Sequence, residues 1–228
     1  RVGLRVLLPG SFSSIRWFGR GPHENYPDRK ASAVVSTHAS TVSEQLTPYI
    51  RPGECGAKSD VRWLELTRPR PPSEPFRPSE AAVLFAIPRG FGGGAESSGD
   101  WGSNSSSDGD EDATFAFSAL PYLAEDLTGA AHAEQVVDPR PGPPLTAVSL
   151  DHRLMGVGGD DSWSASVHDE FLVRPGRFGF TFAIAPYWRK VRPDGGEDGD
   201  SDDGEHGAER SGVRQATERW RSLRKDDE

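Results

Sequence analysis

Trp17-Phe18-Gly19-Arg20-Gly21-Pro22-His23-Glu24-Asn25-Tyr26-Pro27-Asp28-Arg29-Lys30 joins an aromatic pair, a Gly/Pro turn and a dense polar patch in one short run. The aromatic pair closes a short strand candidate, Ser14–Phe18. Gly19 to Pro22 has turn chemistry, since glycine reaches unusual backbone angles and proline fixes φ. His23, Glu24, Asn25, Asp28 and Arg29 follow, and such side chains suit sugar hydroxyls. The same patch also reads as a structural corner in which Asp28 and Arg29 tie neighbouring loops together. Residue types alone leave both readings open.

Outward from this run, extended segments predominate. Val2–Leu8 is β-rich, and Ala31–His38 suits an extended chain. Asp60–Thr67 reads as one strand, with Val61, Trp63 and Glu65 on one face and Arg62, Leu64 and Leu66 on the other. Arg68–Ser79 is proline-rich and reads as a linker or surface loop. Ala81–Ile87 is a continuous apolar run, short enough for a buried strand. Ala113–Ala119 resumes as a strand with Phe115 and Phe117 on one face. Pro121–Thr128 suits one short helix, with Pro121 in its first turn, Ser118 as cap and Gly129 as its stop. Leu145–Asp151, Glu170–Arg174 and Arg177–Pro186 complete the strands. In the last, Phe178, Phe180, Phe182 and Ile184 alternate with smaller or polar residues, the period of a half-buried strand.

Composition agrees with β structure plus loops. Only 34% of the 228 residues are hydrophobic, with 26 Gly and 19 Pro. The net charge of −9 is concentrated in two tracts, 90–112 and 194–209, which hold 14 acids and neither Lys nor Arg. The remaining chain has 21 acids against 26 bases, so the acidity is not a property of a folded surface. Tract 90–112 is Gly/Ser/Asp-rich and too polar to offset the entropy of ordering, so it reads as a disordered insertion. After the second tract, Val213, Ala216, Trp220 and Leu223 recur at helical spacing among arginines. A single cysteine, Cys55, precludes an intrachain disulfide and suits a reducing compartment. No stretch approaches the roughly 18 apolar residues of a membrane helix. The chain opens on Arg1 without an initiator Met and reads as a fragment.

Few segments carry chemistry. Carboxylates are plentiful, but no spacing singles out a catalytic pair of the kind glycosidases need. There is no nucleophile elbow, no phosphate loop and no His/Cys cluster with metal spacing. The acidic tracts would repel nucleic acid. Gly156-Val157-Gly158-Gly159-Asp160-Asp161-Ser162-Trp163 is the most informative stretch. Its glycines permit a tight turn, Asp160, Asp161 and Ser162 can cap free N–H groups, and Trp163 projects from the result. An indole so held can stack on the apolar face of a sugar. A core tryptophan in a demanding turn, or an Asp pair on a Ca²⁺ or Mg²⁺ ion, would use the same residues, and the stretch alone does not choose among the three.

Together these segments resemble the C-terminal domain of glycoside hydrolase family 2 β-galactosidases. Trp17–Lys30 is similar to that family's W-[FL]-G-x-G-P-x-E-N-Y-P-D-R. Thr47-Pro48-Tyr49-Ile50 with Pro52, Glu54 and Gly56 resembles its T-P-Y-[IV]-x-P-x-E-N-G. Asp60-Val61-Arg62-Trp63 matches the next strand, and His132 falls where the family has a His between its helix and strand. Asp151, Met155-Gly156 and Gly158–Trp163 resemble D-x-x-x-M-G-x-G-G-D-D-S-W, and Arg177–Pro186 resembles the closing strand. Cys55 replaces the motif's Asn, Lys58 replaces an Arg, and Ser149 stands where Asn is common. Nothing in the family corresponds to 90–112 or to the tail after Trp188.

The resemblance implies an all-β, antiparallel, partial supersandwich of galactose-mutarotase-like type with one short helix. The expected domain is 1–188, followed by an acidic then Arg-rich tail, 189–228. The implied function is a share in hydrolysing terminal non-reducing β-D-galactose, as in lactose, by a retaining mechanism. Trp163 would stack on the substrate or acceptor sugar, supported by Gly159, Asp160, Asp161 and Ser162, with His23, Glu24, Asn25, Asp28 and Arg29 as a polar loop near the site. No catalytic or metal-binding residue and no cofactor is expected in this segment. The catalytic carboxylates, Mg²⁺ and Na⁺ would sit on a TIM barrel, in another domain or a large subunit. Expected partners are that barrel, a β-galactoside and further copies of a homo-oligomer in the cytoplasm, with no nucleic acid and no membrane. A non-enzymatic carbohydrate-binding or assembly module is the alternative.

Overall fold

Side-chain alternation builds two antiparallel sheets that face each other. The computed structural model of the chain describes residues 1–70, 79–87, 114–136, 144–161, 163–164 and 166–190. Its strands are β1 (Val2–Pro9), β2 (Ser14–Gly21), β3 (Val34–Thr41), β4 (Lys58–Val61), β5 (Trp63–Arg68), β6 (Ser79–Ala86), β7 (Phe115–Leu120), β8 (Leu145–Arg153) and β9 (Ala183–Lys190), with one helix, α1 (Ala124–Thr128). One sheet has the order β1-β8-β7-β4 and the other β3-β2-β5-β6-β9, all pairs antiparallel. Among the described residues, the expectation of an all-β antiparallel sandwich with one short helix holds.

The core lies between the layers. β2 sends Ile15 and Trp17 inward and Arg16, Phe18 and Arg20 outward. Ile15, Trp17, Leu64, Leu66, Val83 and Phe85 meet Val61, Phe115, Phe117, Ala119, Val148 and Leu150 from the opposite sheet. Phe117 packs edge-on to Trp17 with ring centroids 5.7 Å apart. Burying a large apolar side chain of this kind contributes ~1.5–3 kcal/mol. The five-stranded sheet is also covered on part of its outer face, where Trp63, Leu84 and Ala86 pack with Phe18, Ala185 and Tyr187.

Several segments differ from expectation. Asp60–Thr67 is two strands in different sheets, and the chain crosses between layers at Arg62, whose N–H donates to the Phe18 carbonyl at 2.9 Å. The crossing resets the alternation, so Val61 joins the main core with Leu64 and Leu66, while Trp63 joins the outer cluster. β4 carries a bulge, since Lys58 and Val61 pair with Phe117 and Phe115. Asp60 sits in it at φ 53°, a left-handed conformation that Asp tolerates better than most residues.

The helix begins later than Pro121. Its cap position is Leu123, whose N–H donates to Asp126 Oδ2 at 2.8 Å, whereas Ser118 is buried within β7 and cannot cap. Gly129 does end it. Glu170–Arg174 is not a strand: a 3₁₀ turn, Asp169–Phe171, occupies its start. Residues 177–182 precede β9 rather than belong to it. Among the described residues the β6–β9 register runs to Ala86 opposite Ala183, and the positions that would extend it past Ile87 lie outside them. The phenylalanines of 177–182 form an aromatic ladder, with His152 stacked on Phe180, Phe180 against Phe182, and Phe182 edge-on to Phe115. The insertion 90–112, most of the proline-rich segment, the acidic tract 194–209 and the helical spacing of Val213–Leu223 lie outside the described residues.

Candidate functional site

β8 ends at Arg153, and the chain leaves the sheet into the glycine-rich loop. The buried Gly156 N–H donates to the Phe171 carbonyl at 2.9 Å. A Cβ at Gly156 would lie 2.4 Å from Asp28 Oδ2 and 2.9 Å from Phe171 Cβ, so the approach admits only glycine. Gly158 and Gly159 follow at φ 64° and 86°, the left-handed region. The Gly158 N–H donates to Asp28 Oδ2 at 2.7 Å. That bond joins the two motifs, 130 residues apart, and is the structural tie that one reading of Asp28 anticipated. The other oxygen, Asp28 Oδ1, is buried with no hydrogen-bond partner among the described residues.

Past the glycines the loop is fixed by its own carboxylates. Asp161 Oδ1 accepts the N–H groups of Ser164 at 2.6 Å and Trp163 at 2.7 Å, and those donors hold the carboxyl below its ordinary pKa. Asp160 Oδ2 meets His168 Nε2. Ser162 lies outside the described residues. Trp163 is 93% exposed, so it is not a core residue of this chain. An indole at the end of a braced loop offers a flat apolar face and one N–H donor, the chemistry of stacking on a sugar ring.

The polar loop is mostly committed to its own fold. Glu24 accepts from Thr47 Oγ1 at 2.7 Å, Gly56 N at 2.9 Å and Arg29 at 2.6 Å, and also from the Tyr49 hydroxyl. Burial pushes the Glu24 carboxyl up, but these donors and the Arg29 charge outweigh it and hold the pKa below its ordinary value. Asn25 is fully buried: its Oδ1 accepts Ser59 N at 2.8 Å and its Nδ2 donates to the His23 carbonyl at 3.1 Å. Arg29 closes on Glu24 and Tyr49. His23 is exposed, and its ring meets Ser32 Oγ at 3.0 Å. Of the five residues, Asp28 alone has a hydrogen bond to the tryptophan loop among the described residues.

Nearby, Asp60 Oδ2 accepts Arg20 Nε at 2.5 Å and both its oxygens accept Lys30 Nζ at 3.0 Å. Lys58 is buried with the Gly56 carbonyl 3.2 Å from its Nζ and the Trp17 ring 5.6 Å away. Burial pushes its pKa down to about 8. A cavity of about 140 Å³ lies elsewhere, between the outer face of the four-stranded sheet and α1, and none of the residues expected at the site lines it. No group of three or more His, Cys, Asp or Glu that could hold a metal occurs among the described residues. Phe171 and His168, which brace the tryptophan loop from beyond it, carry no signal in the sequence.

Two facing antiparallel layers, with a glycine-rich loop tied to the turn after β2 through Asp28, define a β-sandwich domain. The chain belongs to the β-galactosidase small chain family, whose profile matches residues 1–184. It is similar to the β-galactosidase of Priestia megaterium, 32% identical over 186 residues, which are 81% of this chain and 14% of that protein. The β-galactosidase of Vibrio cholerae is 36% identical over 173 residues, 76% of this chain and 13% of that protein. That of Psychromonas ingrahamii is 34% identical over 185 residues, 81% and 14% respectively. The chain therefore spans about 14% of the length of these curated relatives.

Proposed function

We propose that this chain is the sandwich part of a glycoside hydrolase family 2 β-galactosidase and presents Trp163 to the sugar bound beside galactose. The observation that carries this reading is the 93% exposure of an indole whose loop is tied to Asp28 and capped by Asp161. An apolar side chain of that size, held still and left uncovered, suits a ligand or partner surface. Hydrolysis of terminal β-D-galactosides would proceed by retention, with both carboxylates on a TIM barrel carried in another part of the longer protein or on a large subunit. Mg²⁺ and Na⁺ belong with that barrel. Met155, Val157, Leu172, Phe178 and Phe180 are exposed between β8 and β9, which favours packing of this segment against the barrel. The whole enzyme would be a cytoplasmic homo-oligomer.

The test uses the complete enzyme with Trp163→Leu. Transfer of galactose to added glucose should fall relative to transfer to water, while cleavage of an aryl galactoside should change less. An unchanged partition between glucose and water would overturn the assignment. Sugar binding by the isolated chain, measured by calorimetry with no catalytic partner present, would favour an independent binding module instead.

A further inference from the structure

The tryptophan loop is closed by a hydrogen-bonded circuit whose last link is a histidine. Gly156 N–H donates to the Phe171 carbonyl, and Phe171 N–H donates to the His168 carbonyl, each at 2.9 Å. The His168 ring then returns to Asp160, a few residues past the start of the circuit. Between Gly156 and Asp160 the backbone holds two left-handed glycines, so this stretch has little stiffness of its own. Gly158 is fixed from below by Asp28. Beyond Gly159, Asp161 bonds within the loop tip, to Trp163 and Ser164. The His168–Asp160 contact is thus the described bond that ties the tip back to the following segment.

We infer that His168 is a positioning residue for Trp163: its ring clasps Asp160, fixes the loop tip that carries the indole, and holds more firmly when protonated. This rests on the reading of Trp163 as the sugar-facing group. The charged groups that act on the ring are acidic: Asp160 in contact, with Glu170 and Asp28 farther off. Asp169, next to His168 in the chain, is paired with Arg174 at 3.2 Å. The Asp160 hydrogen bond and these charges raise the His168 pKa above its ordinary value. A raised folded-state pKa means that the charged clasp is complete below the ordinary histidine range. It is lost as pH rises through the folded value.

The experiment is hydrogen exchange of the peptide spanning 156–164 in the complete enzyme, corrected for intrinsic exchange, from acid to alkaline pH. Protection should fall about two- to fivefold as pH rises through the histidine range, the scale of an exposed ion pair. His168→Ala should show the low protection at every pH. His168→Gln, neutral but able to hydrogen-bond, should restore part of it without the pH dependence. In parallel, the KM for glucose as acceptor should rise in His168→Ala and lose its pH dependence, with kcat on an aryl galactoside little moved. Wild-type pH dependence persisting in His168→Gln, or unchanged protection in His168→Ala at acid pH, overturns the proposal. If Trp163→Leu leaves acceptor use untouched while the exchange results stand, the clasp survives and the sugar-facing reading fails.

Discussion

Asp28 and Gly156 should be energetically coupled, and the sign of the coupling follows from the geometry. Asp28→Ala removes a charge-assisted acceptor 2.7 Å from the part-buried Gly158 N–H. Losing such a bond costs about 1.5–3 kcal/mol. Gly156→Ala adds a methyl 2.4 Å from that same carboxylate oxygen and 2.9 Å from Phe171 Cβ. Overpacking of this degree costs about 1–3 kcal/mol. The nearest clashing atom at Gly156 is the very one that Asp28→Ala deletes. The double variant should therefore cost less than the sum of the singles, by about 1 kcal/mol or more. Hydrogen exchange over 156–164 reads the local effect, and about 1.4 kcal/mol appears as a tenfold change in protection. Urea unfolding reads whatever share reaches the global transition. Strict additivity, with Gly156→Ala as costly in the Asp28→Ala background as in the wild type, would refute the account of how the two motifs are joined.

Further outcomes follow from the same structure. Lys58 has a folded pKa of about 8 against about 10.4 for a free lysine, so its charge penalises the fold at neutral pH and the penalty disappears as pH rises between those values. Urea unfolding of Lys58→Met against wild type should therefore show the wild type gaining on the variant by up to about 3 kcal/mol from pH 7 to pH 10, and parallel curves would count against this. Phe117→Ala empties a fully buried site between the sheets and should cost ~3–5 kcal/mol by the same measurement. Trp163→Leu, by contrast, should leave the unfolding free energy within about 0.5 kcal/mol of wild type, because the indole makes so little contact within the chain.

Much of the β architecture is legible in residue type alone. β2 buries the alternate residues that period two predicts, β8 buries most of its length as a covered strand should, and the apolar run at 81–87 is indeed part of a covered strand. The departures have physical causes. Arg62 crosses from one layer to the other without a Gly or Pro to announce it, so the two strands around it read as one. The phenylalanine alternation of 177–182 is real, but its rings serve an aromatic ladder between His152 and Phe115, and β9 begins only at Ala183. The tryptophan loop is recognisable from its glycines, whereas its fastening is not. Asp28 and His168 reach it across the fold, and such pairings leave no local trace in composition. Glu24 and Arg29 read as groups suited to hydroxyls because their side chains are. Glu24 instead spends its oxygens on Thr47, Tyr49 and Gly56, which come from a different segment, 23 to 32 residues away.

The passage at Arg62 also bears on how the molecule yields. β4 belongs to one sheet and β5 to the other, with a single residue between them. So short a stitch leaves no slack for the layers to slide past each other: shear along either sheet pulls directly on Val61 and Trp63, each anchored in its own apolar cluster. Peeling one layer drags the other, and the two sheets should come apart in one event.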